Sequence, residues 1–201
     1  MNKSSHLRIT GEVLANYTEL SKKQRLLVMA GCILPDILIH TYIKSHTWSG
    51  RSGEVFEKIR AYKNRHSRHD HDYLQYGCVL HYIEDFFTWP HNASYEGTLK
   101  DHVKYETRLH QYLSEKQGKP QKGSYIHAGN AEQLIAQLKD LHQEYMETET
   151  GMMTDHCYIT KAASMTAEYL LVTMKEKQYY IPLYEKPDYQ VYGHVYNISR
   201  M

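Results

Sequence analysis

The sequence predicts an all-α fold built as one domain. Apolar residues recur at spacings of three and four along most of the chain, which is typical of helices packed on a common core. The 201 residues are 41% apolar and 23% charged, which is enough for one hydrophobic core. Neither internal repeats nor low-complexity linkers divide the chain. We therefore predict a multi-helix domain over residues 1–177, with residues 178–201 as an irregular Tyr-rich appendage packed on it.

Two helices are predicted at the start of the chain. The apolar stripe of the first consists of Leu7, Val13, Leu14 and Tyr17. Ser21 can cap a second helix over residues 22–34, because its side chain can accept a hydrogen bond from an amide of the first turn. Pro35 ends this helix, since a proline disfavours helical geometry in the residue before it. Asp36 is therefore expected at a helix end.

A short helix and a long buried helix are predicted next. The short helix is marked by Val55, Phe56 and Ile59. It follows a polar stretch that contains Gly50 and Gly53. The long helix covers residues 70–89, and Pro90 stops it. Its apolar residues include Tyr73, Leu74, Gly77, Leu80 and Phe87.

Three more helices are predicted in the C-terminal half. They cover residues 101–116, 131–147 and 155–175, each with apolar residues at helical spacing. Residues 118–123 are rich in glycine and lysine and predict a plain loop. Residues 178–201 are rich in Tyr, Val and Ile and contain two prolines, which indicates extended segments or a small hairpin.

Histidines and carboxylates in one short segment carry the main chemical signal. His81 and Asp85 lie four residues apart, as do His102 and Glu106, so each pair would lie on one face of a helix. His91 follows a Trp-Pro pair, whose rigid backbone can direct its side chain back towards the same place. Imidazole and carboxylate are the ligands of catalytic zinc. The spacing therefore predicts a metal site.

Each of these residues also has a simpler interpretation. A lone histidine in an apolar helix is usually a hydrogen-bonded core residue, but an unpaired buried Asp85 would be costly and a divalent cation would resolve both problems. His102 and Glu106 could form a solvated surface pair. Glu84 points roughly a hundred degrees away from Asp85 on a helix, so it is left out of the predicted ligand set.

Two clusters on two helices predict at least two ions. Two metal ions a few ångströms apart can activate water and stabilise the leaving oxygen of a phosphoester. Asp85 is the natural carboxylate to bridge them.

The order of these residues resembles the zinc-dependent phospholipase C family, which is related to the fungal single-strand nucleases that use three zinc ions. Residues 80–91 match its helix motif, His-x3-Asp-x5-His, and residues 102–106 match the His-x3-Glu motif that follows. Upstream, residues 31–36 resemble a Gly-x3-Pro-Asp segment. Residues 45–47 and 5–7 resemble two histidine segments of the family. The pieces occur in the family's order.

The resemblance implies two or three zinc ions. The implied ligands are His46, His81 and Asp85 for one ion, His91, His102 and Glu106 for a second, and His6 with a shared Asp85 for a third. Asp36 matches the aspartate that is held to be the general base of the family. In place of His46, one of His66, His69 and His71 could supply the ligand.

The resemblance also implies a function, a phospholipase C-like phosphodiesterase that uses a metal-bound hydroxide on a phospholipid or a small phosphodiester. The alternatives are a single-strand nuclease of the related zinc class and a catalytically degenerate relative that binds metal. A net charge of +1 does not favour a nucleic-acid partner. No signal peptide or membrane-spanning stretch is visible, so a cytoplasmic location is expected.

Overall fold

A computed structural model describes residues 1–38, 46–62, 69–115 and 127–171. These residues form seven α-helices and two 3-10 turns, with no strand among them. The helices are α1 (Lys3–Leu14), α2 (Lys22–Ile33), α3 (Trp48–Ala61), α4 (Asp70–Phe86), α5 (Leu99–Glu115), α6 (Ala131–Glu147) and α7 (Met152–Leu171), and the turns are Leu34–Asp36 and Trp89–His91. The predicted all-α fold is confirmed.

Helix α4 is the central element of the fold. It packs against α1, α2, α3 and α7, and every residue from Tyr76 to Phe86 is buried. A helix that is buried on all sides must place its polar residues against partners from other elements. The polar residues at its C-terminal end are His81, Glu84 and Asp85, and each has such a partner.

Helices α2 and α4 cross with their backbones in contact. A Cβ atom added at Gly31 would lie 2.0 Å from the Leu74 carbonyl oxygen, and one added at Gly77 would lie 2.1 Å from the Val28 carbonyl oxygen. Glycine is therefore required at both positions, because no rotamer change can move a backbone carbonyl out of the way. This close approach brings the last turn of α2 beside the C-terminal half of α4.

The helix boundaries agree with the sequence to within two residues at most ends and differ more at three, the starts of α3 and α7 and the end of α4. Ser21 caps α2 in a reciprocal capping box with Gln24, and the turn after α2 carries Asp36, as predicted. Helix α3 begins earlier than predicted, because Thr47 accepts a hydrogen bond from the Gly50 amide. The stretch expected as polar connection is therefore helical.

The predicted end of the long helix at Trp89 is wrong by three residues. Helix α4 ends at Phe86, where Phe87 leaves helical geometry. The Asn92 side chain donates hydrogen bonds to the carbonyl oxygens of Phe86 and Thr88, so it satisfies backbone groups at the helix end. The proline at position 90 lies in the 3-10 turn that follows.

Some predictions fall outside the described residues. They concern the loop at 118–123, the end of the last helix at residue 175, the domain boundary after residue 177, the appendage at 178–201 and the alternative ligand His66. In the part of the chain that is described, none of the helices combines the length and apolar character needed to cross a membrane.

We expect Gly77→Ala to destabilise the protein by about 3 kcal/mol, because its Cβ would collide with the α2 backbone. Gly53→Ala is the matched control. It places the same methyl group in helix α3, where no atom lies within 4 Å, and should stabilise the fold by about 0.5–1 kcal/mol. Urea denaturation followed by circular dichroism would measure both. Equal stability of the two variants would contradict the close crossing.

Candidate metal centre

A cluster of histidines and carboxylates lies where the C-terminal half of α4 meets five other segments. The cluster consists of His6, Asp36, His46, His81, Asp85, His91, His102 and Glu106. These residues come from α1, the turn after α2, the segment just before α3, α4, the turn after α4, and α5. Residues separated by as many as 100 positions in sequence are therefore brought together by the packing of the helices.

Asp85 lies at the middle of the cluster and is 1% exposed. Its Oδ2 atom is 3.3 Å from His46 Nδ1 and 3.3 Å from His81 Nε2. Its Oδ1 atom is 3.3 Å from His6 Nε2 and 3.5 Å from His91 Nε2. The two oxygens of one carboxylate thus face two different pairs of imidazoles.

Asp36 lies at the edge of this arrangement. Its Oδ1 atom is 3.8 Å from His81 Nε2 and 3.9 Å from His46 Nδ1. Asp36, His46 and His81 form one group of ligand atoms that all lie within 4.8 Å of one another, and His6, His81 and Asp85 form another. His81 therefore belongs to both groups.

A third group joins the turn after α4 to helix α5. Glu106 Oε1 lies 2.9 Å from His102 Nε2 and 3.3 Å from His91 Nε2. The rings of His91 and His102 meet edge to face, with centroids 4.8 Å apart. Both α5 residues are half-buried, so they are not the solvated surface pair that their spacing also allowed.

The α-amino nitrogen of Met1 lies between the groups. It donates a short hydrogen bond to Asp85 and is 3.2 Å from Glu106 Oε1 and 3.1 Å from His91 Nε2. The structure thus holds a positive group at the point where the two carboxylates converge. A bound cation would be attracted to the same point.

Negative charge is concentrated below the surface here. Burial alone would raise the pKa of Asp85, but His91 and the Met1 ammonium hold it well below its usual range. Burial would also raise the pKa of Glu106, which the same ammonium keeps low. Although burial disfavours a charged His6, the Asp85 carboxylate raises the pKa of that imidazole to about 9. The cluster therefore attracts protons or cations.

Two imidazoles are oriented by hydrogen bonds on the side away from the cluster. The Nδ1–H of His81 donates to the Cys32 carbonyl oxygen over 2.9 Å, and burial lowers the pKa of His81, which favours the neutral ring. The Nδ1–H of His6 donates to Glu84 over 2.6 Å. In each case the Nε2 atom is left to face Asp85.

Two buried nitrogens of the cluster, His6 Nε2 and His46 Nε2, have no hydrogen-bond partner among residues 1–38, 46–62, 69–115 and 127–171. His6 Nε2 faces Asp85, whereas the atom of His46 that faces Asp85 is Nδ1. Although Asp85 Oδ1 is 3.3 Å from His6 Nε2, the two do not form an aligned hydrogen bond. An unsatisfied buried nitrogen is costly, and a metal ion that displaces the proton from His6 Nε2 would bind the lone pair of this atom. The donors present therefore fit zinc.

Asp155 of α7 ties the third group to the rest of the fold. It accepts hydrogen bonds from the Trp89 amide at 3.1 Å, the Tyr105 hydroxyl at 3.0 Å and the Tyr145 hydroxyl at 2.7 Å. The first of these donors lies in the turn that carries His91, and the second lies in α5. One buried carboxylate thus fixes both segments that supply the third group.

The turn after α4 is also held from α6. Burial lowers the pKa of His142 to about 4, so its neutral ring can donate Nε2–H to the Asn92 side chain over 2.8 Å. The His142 ring stacks on Trp48, with centroids 3.7 Å apart. The Asn92 side chain also donates hydrogen bonds to the Phe86 and Thr88 carbonyl oxygens, which precede the 3-10 turn. This network limits the movement of the segment that carries His91.

The alternative ligands for His46 are only partly described. His69 and His71 are exposed at the start of α4, and His71 lies roughly 15 Å along the helix axis from His81. Neither belongs to the cluster. His66 lies outside the described residues.

Glu84 and Asp155 are the important residues that the sequence interpretation missed. Glu84 does point away from Asp85, as the helical angle requires, but it points to His6 instead. The pair His6 and Thr10, one turn apart on α1, was the available signal, because both bond to Glu84. Nothing in the local sequence of Asp155 indicated its partners.

A family model described as zinc dependent phospholipase C matches residues 5–152, which include every residue of the cluster. No curated protein and no solved structure matches the chain at a significant level.

We expect Asp155 to make stability depend on pH. Burial raises its pKa to about 6 from 3.8, so the unfolded chain releases this proton at lower pH than the folded protein does. The resulting stability is lost as pH rises, by about 2 kcal/mol between pH 4.5 and pH 7. The stability of Asp155→Asn should not fall in this way as pH rises, because an asparagine side chain does not titrate.

The measurement is urea denaturation of chelator-treated wild type and variant at both pH values. The relevant quantity is the difference between the two proteins, because other titrating groups cancel in it. Asp140→Asn, at an exposed position of α6, is the control. A difference between wild type and Asp155→Asn that stays constant with pH would contradict the raised pKa.

Proposed function

The chain belongs to the zinc-dependent phospholipase C family, and from this premise we propose that it is a zinc-dependent phosphodiesterase acting on a phospholipid or a smaller phosphodiester. The observation that carries the proposal is the convergence of imidazole and carboxylate donors in three groups of three. Structural zinc sites are usually closed by four protein ligands, whereas three ligands leave a position for water or substrate. The arrangement therefore suits hydrolysis better than a purely structural role.

The proposed ligands are those that the family resemblance implies, and one of the three sets coincides with a group described above. They are His46, His81 and Asp85 for one ion, His91, His102 and Glu106 for a second, and His6 with Asp85 for a third. Asp85 is suited to be shared because its two oxygens face different imidazoles. Zinc bound by such ligands supplies a Lewis acid that lowers the pKa of water and offsets charge on phosphate oxygens.

Asp36 is the proposed general base. Its carboxylate is partly exposed at the edge of the cluster, within 4 Å of two candidate ligands. Burial raises its pKa, which strengthens it as a base. From this position the carboxylate can accept a proton from a water molecule that attacks phosphorus.

Exposed apolar side chains near the cluster favour a lipid substrate over a nucleic acid. Leu99 and Val103 are 80% and 56% exposed on the first turns of α5, beside His102, and Ile37 is 54% exposed next to Asp36. A single-strand nuclease would instead need a basic groove along the backbone of its substrate. The net charge of +1 does not supply one.

We expect purified protein that has not met a chelator to carry two or three zinc ions per chain. His81→Ala and Glu106→Ala should each lower this number by at least one, because each removes a ligand of a different group. His71→Ala, which removes an exposed histidine from the same helix as His81, should leave it unchanged. Inductively coupled plasma mass spectrometry would measure the metal. Less than one ion in the wild type would indicate a relative without a catalytic cluster.

We expect Asp36→Asn to lower kcat on a phosphodiester by roughly a hundredfold or more while the zinc content remains near that of the wild type. The substrates to compare are a short-chain phospholipid, a chromogenic aryl phosphodiester and single-stranded DNA. Asp140→Asn is the control. Unchanged turnover in Asp36→Asn would show that the base is another group, and a preference for single-stranded DNA would favour the nuclease alternative.

A further inference from the structure

Glu84 is a fully buried carboxylate that belongs to none of the three ligand groups. It precedes Asp85 in α4 and points to α1. Burial of a carboxylate without partners would be strongly unfavourable, and here the penalty is offset by two hydrogen bonds. Packing alone therefore does not explain why a carboxylate is buried at this position.

The two oxygens of Glu84 are each used by a different residue of α1. Oε2 accepts from the Nδ1–H of His6 over 2.6 Å, and Oε1 accepts from the Thr10 hydroxyl over 2.8 Å. His6 and Thr10 lie one helical turn apart, so both face α4. The carboxylate is thus held at two points and cannot rotate without breaking one bond.

These contacts determine which His6 nitrogen faces the cluster. A carboxylate accepts a proton, so it holds the hydrogen on Nδ1 and leaves Nε2 directed at Asp85 Oδ1, 3.3 Å away. The His6 ring also stacks on His81, with centroids 4.1 Å apart. The Nε2 atom has no hydrogen bond among the described residues, so an ion that displaces its proton would meet no competing partner there.

His6 and His81 are oriented by acceptors of different strength. His81 donates to the neutral Cys32 carbonyl, whereas His6 donates to a carboxylate. A charged acceptor makes an imidazole a stronger electron donor and adds a negative charge near the cation. Glu84 is also the fourth carboxylate of the region, after Asp36, Asp85 and Glu106.

We propose that Glu84 is a positioning residue that fixes the Nδ1–H form and the orientation of His6 and strengthens its Nε2 atom as a metal ligand. The proposal deepens the proposed function and rests on it for the identity of the ion. The hydrogen bond itself does not depend on bound metal. Its two consequences, in the His6 imidazole and in zinc affinity, can therefore be measured separately.

Two substitutions separate the charge of Glu84 from its hydrogen bonds. Glu84→Gln keeps the shape, and its amide oxygen can still accept from His6 while its amide nitrogen donates to Thr10. Glu84→Leu removes both bonds. Glu12→Gln, on the surface of α1 beside Arg8, is the matched control. Thermal denaturation would establish that each variant is folded.

The first readout is the His6 imidazole N–H proton in the NMR spectrum of chelator-treated protein. The short bond to Glu84 should shift this proton strongly downfield, and His6→Gln identifies the signal by its loss. We expect the signal to move upfield in Glu84→Gln and to disappear in Glu84→Leu. An unaltered signal in Glu84→Leu would overturn the proposal.

The second readout is the stepwise affinity for zinc, measured by competition with a chromophoric chelator. We expect Glu84→Leu to weaken one zinc site by roughly 10–100-fold and Glu84→Gln to weaken it less, while the other sites keep their affinities. Unchanged affinities in folded Glu84→Leu would overturn the proposed effect on the ligand. If wild type binds no zinc, the proposed function fails, and the NMR signal still decides whether Glu84 orients His6.

Discussion

The structure depends on the burial of a carboxylate, Asp85, inside a helix that is buried on all sides. An isolated charge at this position would be strongly destabilising. The fold compensates by surrounding it with imidazoles from four segments and with the Met1 ammonium. The polar cluster and the hydrophobic core are therefore not separate regions. The helix that completes the core also carries the charge around which the cluster forms.

A layer of contacts outside the cluster holds its members in place. The acceptors in this layer come from three different elements: the Cys32 carbonyl of α2, Glu84 of α4 and Asp155 of α7. Each is buried and uses its acceptor atoms for groups that touch or flank the cluster. Rigid positioning of this kind lets a metal site bind an ion without first ordering its ligands.

The sequence predicted the fold class and most helix ends because those depend on local signals. Ser21, Gln24 and Pro35 determine the ends of α2 within a few residues of sequence. The start of α3 was missed because the cap at Thr47 precedes two glycines. The roles of Glu84 and Asp155 were missed because Glu84 bonds to Thr10, 74 positions away, and Asp155 bonds to the Trp89 amide, 66 positions away, and only packing brings these groups together. The family motifs predicted the residues of the cluster, whereas the distances between their side-chain atoms are known only from the structure.

The glycine crossing of α2 and α4 has a consequence for energetics as well as for packing. Helix α2 supplies the acceptor for His81 and leads directly to Asp36, so sliding it along α4 would displace both. A ligand that binds only the native arrangement of its ligating residues stabilises the helix packing that produces this arrangement. Metal binding and the contact between Gly31 and Gly77 are therefore thermodynamically linked, even though neither glycine touches the cluster. A methyl group added at Gly77, one helical turn before His81, can therefore weaken the binding of a metal ion at the cluster.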